Sequence, residues 1–193
     1  TFSSWDDTDI YVNGIRFRHL WDYISFPSRN KDLPLLESKD VLFLGYGIDD
    51  AKYTDYKGKP KDFKGKTIVI NTGEPMKADS TYWISGTKEK STWSSMDKKL
   101  ATAREKGVAM VLIIEEDIKK SLAENRNLLM GPSVQLGDKS AEEIKYPNHC
   151  FISTTVAKEL FGKEAEKIVK VRSDITKKGK FKPVKLKSQL QVN

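Results

Sequence analysis

The chain has 193 residues, 38% of them hydrophobic and 32% charged, with a formal net charge of +7. That length supports one sizeable core, and no apolar run approaches the ~20 residues a membrane-crossing helix needs. The single cysteine, Cys150, excludes an internal disulfide and a cysteine-based zinc site.

The excess charge is local. Residues 167–187 hold nine Lys/Arg against one Asp, a net +8 that leaves −1 for the rest of the chain. A nucleic-acid module would interleave such cations with stacking aromatics or present a recognition helix, and this stretch offers only Phe181. It reads as a solvated strand face or linker. The opening Thr1-Phe2-Ser3-Ser4-Trp5 has no initiator Met and no basic-then-apolar leader, the expectation for an excised or processed chain.

In chain order, residues 1–32 are rich in aromatics, and Asp9–Phe17 reads as a β-hairpin because Asn13-Gly14 is a strong two-residue turn signal. Phe26-Pro27-Ser28 and Leu33-Pro34 mark loop, and Glu37–Asp40 leads into the first core strand. Two short apolar runs, Val41–Leu44 and Thr67–Ile70, read as buried strands around a polar segment punctuated by glycine. Gly45-Tyr46-Gly47 resembles the start of a dinucleotide fingerprint, but Asp50 holds the third glycine position and would repel a pyrophosphate. Gly65-Lys66-Thr67 resembles the end of a phosphate-binding loop, yet its first glycine would fall at Pro60 and a strand follows. Both nucleotide readings fail.

After Asn71–Pro75, Met76 to Thr92 reads as a long surface loop bearing Tyr82 and Trp83, with Trp93 just beyond. Those rings either form a contact surface or pin the loop to the core. A helix is expected at about 95–106, with a serine cap, Asp97 in its first turn and Gly107 as a left-handed stop. Val108–Ile114 follows as a fully buried strand, then a helix near 116–126 behind Glu115-Glu116-Asp117. Leu128–Tyr146 reads as loop with a short strand at Ser133–Leu136; Pro147–Ser153 is a strand, and Thr154–Phe161 a helix closed by Gly162. From Val184, apolar residues alternate with polar ones as an edge-like strand entered at Pro183.

Catalytic constellations are absent from the sequence. The two histidines, His19 and His149, lie far apart, and no His-Glu-x-x-His or Gly-x-Ser-x-Gly occurs. His149 and Cys150 sit in one apolar run and read as structural. Asp6-Asp7 and Asp49-Asp50 are adjacent, so in extended chain they point apart, unsuited to acid/base pairing. The acids at 115–117 lack a histidine partner for a metal. The residues by themselves leave open a polyanion- or protein-binding module, or a small hydrolase with an unrecognised site.

Three spaced motifs resemble the protease-associated (PA) domain found beside di-zinc aminopeptidases of the leucine aminopeptidase-like type. The first is Phe43, Gly45-Tyr46-Gly47-Ile48, Tyr53, Asp55-Tyr56, Asp62, Gly65-Lys66 and Val69. The second is Lys99, Ala103 and Gly107–Ile113, with Met110 where the family has a second glycine; the third is Pro147, Ile152-Ser153, Ala157 and Leu160. The resemblance implies an α/β fold: a PA-domain-like open β-barrel or sandwich, mostly antiparallel, with flanking helices. It implies an N-terminal hairpin and lead-in over 1–36 and a PA-like domain over 37–193, ending in a basic strand toward a peptidase domain. It further implies a non-catalytic chain that gates substrate access or mediates protein contacts. Zinc is expected in that peptidase domain and no cofactor in this chain; the location is secreted, periplasmic or cell-surface. Partners would be the peptidase domain and peptide or protein substrates, with no nucleic acid and no membrane span. Tyr46, Tyr53, Tyr56, Tyr82, Trp83 and Trp93 form the expected contact surface.

Overall fold

A computed structural model describes residues 8–26, 29–31, 35–125, 129 and 146–193. Two sheets carry the fold. The smaller is antiparallel and joins the two ends of the described chain: β2 (Ile15–Arg18), β1 (Asp9–Val12), β10 (Leu190–Val192) and β4 (Leu36–Ser38), in that order. The β1–β2 turn forms where expected, because Asn13 (φ 53°) and Gly14 (φ 84°) both take the left-handed conformation that a tight hairpin requires. Ile10 and Val12 face inward opposite Val192 and Leu190, but the single edge-like strand expected from Val184 is in fact two short strands in different sheets, and the last of them lies between β1 and β4 rather than at an edge.

The larger sheet runs β3 (Tyr23–Ile24), β8 (Asn148–Ser153), β7 (Met110–Glu115), β6 (Thr67–Asn71), β5 (Val41–Phe43) and β9 (Val184–Leu186). Its four central strands are parallel, in register through Val41, Thr67, Met110 and Asn148. Only the flanking β3 and β9 are antiparallel to their neighbours. The expectation of mostly antiparallel strands holds by pairing, five of eight among the described residues, and is corrected only for the core of the larger sheet, which is parallel: this is a mixed α/β arrangement of two sheets, with no closed barrel among the described residues. The reason is the connection between β6 and β7. It carries α1 (Met96–Glu105) back along the sheet, and such a return brings the next strand in parallel.

Parallel strands need cover on both faces, which is why these runs are apolar throughout. On one face Ile68, Ile70, Val111 and Ile113 pack against Leu100 and Ala103 of α1. On the other, Val69, Leu112, Ile114 and Ile152 meet α3 (Thr154–Phe161) and α4 (Ala165–Lys178). A further helix, α2 (Ile118–Glu124), is shorter than expected; Asp117 caps it by accepting the Lys120 N–H at 3.0 Å. The strand expected at Ser133–Leu136 lies outside the described residues.

Helix α4 is the second correction. Residues 167–178 are helical rather than strand or linker, because Ile168, Val171 and Ile175 form a buried stripe beneath the lysines. Gly179 (φ 59°) closes the helix, its N–H donating to Ile175 O at 2.9 Å. Of the cations in this region, Lys178 pairs with Asp174, Lys185 with Asp40 and Lys187 with Glu164.

Candidate functional site

The Gly45–Tyr56 segment leaves the carboxyl end of β5 and folds around one carboxylate. Asp55 is fully buried; its Oδ2 accepts the N–H groups of Tyr46 (2.9 Å) and Ile48 (3.0 Å), and its Oδ1 accepts the Tyr53 hydroxyl at 2.6 Å. Gly45 makes this possible, with φ +57°; a Cβ there would stand 2.7 Å from Asp55 Oδ1 and 2.8 Å from the Phe181 ring. Burial pushes the Asp55 carboxyl up to about 6, against the opposing pull of the Tyr53 hydroxyl and the two N–H donors. The carboxylate is spent on holding the loop.

Lys99 of α1 reaches the same region from below. It is 1% exposed, donates to the carbonyls of Asn71 (3.3 Å) and Gly73, and lies 5.6 Å from the centre of the Tyr46 ring. Desolvation pulls its ammonium down to about 8, while the negative charge of Asp55 acts the other way. Lys99 is three residues after Met96 and four before Ala103, at the border of the apolar face of α1, and the carbonyls of Asn71 and Gly73 receive its buried ammonium.

The six aromatic residues divide. Tyr53, Tyr56 and Trp93 are buried, so their rings belong to the interior; Tyr46, Tyr82 and Trp83 are half-buried. Trp83 fastens the 76–93 loop to α4: its Nε1 donates to Ile175 O at 2.9 Å, and its ring lies against Gly179. Trp93 donates to Asp50 Oδ2 at 2.9 Å. Buried Glu74 accepts both the N–H and the hydroxyl of Ser91, at 2.7 and 2.8 Å, closing the base of the loop.

A cleft of about 210 Å³ opens beside Tyr46. Its walls are Asn71 and Thr72 at the end of β6, Ile114 and Glu116 at the end of β7, and Arg172, Ile175 and Thr176 on α4. Crevices at the carboxyl ends of parallel strands are the usual ligand positions in α/β sheets. Nothing in the sequence marks this cleft, because its residues come from distant segments.

The other candidates have structural duties. Cys150 is buried, and desolvation pushes its thiol up to about 12. His149 is 1% exposed, with Nδ1 3.0 Å from Pro147 O, and its pKa is lowered by burial. His19 is held by Ser25, whose N–H and carbonyl both lie 3.3 Å from Nε2. Asp49 and Asp50 do diverge: Asp49 pairs with Lys106 and Thr54, whereas Asp50 caps Lys52 and Trp93. No three His, Cys, Asp or Glu side chains converge as a metal-binding group among the described residues. No helix among them is long and apolar enough to cross a membrane.

No family model matches the chain, and no curated protein matches it. Among solved structures, an aminopeptidase from Aneurinibacillus sp. strain AM-1 is similar, with a TM-score of 0.46 and 12% sequence identity. The match covers 100% of this chain and 32% of that one, so this chain spans about a third of the length of that aminopeptidase.

Proposed function

We propose that this chain is a non-catalytic protease-associated-type domain of a zinc aminopeptidase, which restricts access to a peptidase domain or offers it a protein contact. One observation carries the reading. Two motifs matched separately in the sequence meet at one buried carboxylate: Gly45, Tyr46, Ile48 and Tyr53 of the first surround Asp55 of the same motif, and Lys99 of the second lies within its field. A motif used this way preserves a shape and supplies no free base. A rigid body beside a cleft can exclude bulky substrates without contributing chemistry. On this reading zinc belongs to the peptidase domain, the protein works outside the cytoplasm, and the half-buried Tyr46, Tyr82 and Trp83 border the contact face.

The test is hydrolysis of aminoacyl reporter substrates by the isolated chain, with and without added zinc, beside the same assay on the protein encoded by the complete gene. The expected result is turnover by the latter alone. Turnover by the isolated chain, or a complete gene product with no peptidase activity, overturns the reading.

A further inference from the structure

We propose that the cleft between the ends of β6 and β7 and helix α4 binds a free α-amino acid with an apolar side chain, its carboxylate on Arg172 and its ammonium on Glu116. This rests on the geometry of the cleft alone and is independent of the peptidase reading.

Asn71 donates its side-chain amide to Gly45 O at 2.9 Å, and the Thr176 hydroxyl donates to Arg172 O at 3.2 Å. By contrast, the guanidinium of Arg172 and the carboxylate of Glu116 have no hydrogen-bond or ion-pair partner among the described residues, and they do not pair with each other. Elsewhere on this surface opposite charges do meet, as in Lys106–Asp49 and Lys66–Asp40. Here two opposite charges line one small cleft and stay apart.

Both charges act on the Tyr46 hydroxyl, Arg172 lowering its pKa and Glu116 raising it, beneath a larger upward push from burial. Tyr46, itself part of the cleft wall, thus lies within the field of both groups. Arg172, Ile175 and Thr176 are spaced to share one face of α4. Ile175 and Ile114, both buried, supply an apolar floor.

Ligand class follows from these parts. A guanidinium fork takes a carboxylate through two parallel hydrogen bonds, and a carboxylate takes an ammonium. At about 210 Å³ the cleft is smaller than the ~300–1,000 Å³ typical of sites for larger organic ligands, which matches a single amino acid. The apolar floor selects an aliphatic side chain.

Isothermal titration calorimetry with L-leucine, N-acetyl-L-leucine and L-leucinamide tests this directly. L-Leucine should bind, and each blocked form should bind at least about tenfold more weakly, as the loss of one charge-assisted contact implies. Arg172→Met should weaken L-leucine by a similar factor yet leave leucinamide unchanged; Glu116→Gln should weaken L-leucine yet leave the N-acetyl form unchanged. Both side chains belong to exposed residues, and the ligand series on the unaltered chain needs no variant at all. Absence of L-leucine binding, equal binding of all three ligands, or indifference to both substitutions overturns the proposal.

Discussion

The hydroxyl of Tyr53 donates a 2.6 Å hydrogen bond to Oδ1 of Asp55, a carboxylate with no solvent exposure. Because Asp55 also holds the N–H groups of Tyr46 and Ile48, this contact anchors the loop that leads to the cleft. Removing it with Tyr53→Phe keeps the ring and deletes one bond to a charged acceptor. The expected loss is about 1.5–3 kcal/mol of unfolding free energy, read by urea denaturation. An unchanged midpoint would show that the hydroxyl is dispensable.

Asp55 also links stability to pH. Its carboxyl is raised from 3.8 to about 6 in the folded state, so the folded chain holds the proton more tightly than the unfolded one. The associated stability is fully present below 3.8 and is lost as pH rises through about 6. The difference is on the order of 3 kcal/mol. His19 and His149, with lowered pKa values, act in the opposite sense, losing stability as pH falls below the ordinary histidine value of 6.5. Comparing the native chain with Asp55→Asn therefore isolates the effect: the stability difference between them should vary between pH 4 and pH 6.5. Parallel curves would contradict the assignment.

Gly45 and Gly14 both have positive φ, but their surroundings differ. A Cβ at Gly45 meets Asp55 Oδ1 at 2.7 Å and the Phe181 ring, whereas one at Gly14 meets nothing within 4 Å. Gly14→Ala should cost about 1 kcal/mol of backbone strain, and Gly45→Ala at least about 3 kcal/mol, because the packed carboxylate must also move. Equal melting temperatures for the two variants would refute the difference.

Trp83 should control the order of the 76–93 loop. Its Nε1 bond to Ile175 O and its packing on Gly179 tie that loop to α4. In Trp83→Ala, hydrogen exchange at the Tyr82 amide, which donates to Thr87 O at 2.8 Å, should accelerate while amides in β7 keep their protection. Unaltered exchange at Tyr82 would mean that Glu74 and Ser91 hold the loop unaided.

Much of the local structure was readable residue by residue. Asn13-Gly14 specified its turn, and the helix over Thr154–Phe161 closed by Gly162 was legible; Ser153, read as the end of the strand, caps that helix, its hydroxyl accepting the Val156 N–H at 3.3 Å. Helix α4 was not, although its signal existed. Ile168, Val171 and Ile175 have helical spacing and Gly179 follows, but intervening lysines dilute the stripe and suggest a solvated segment. The resemblance drew attention to Tyr46, Tyr53 and Tyr56 as surface groups, and burial divides them, because aromatic rings beside a polar loop can turn either way.

By itself the amino-acid order determined turns, caps and apolar strands, since each depends on interactions within a few neighbouring residues. Strand direction, the enclosure of Asp55 and Lys99, and the meeting of Tyr46, Glu116 and Arg172 were decided only when the chain packed. Those relationships join groups remote in sequence, and a side chain's spacing along the chain carries no record of which distant charge or carbonyl it will face.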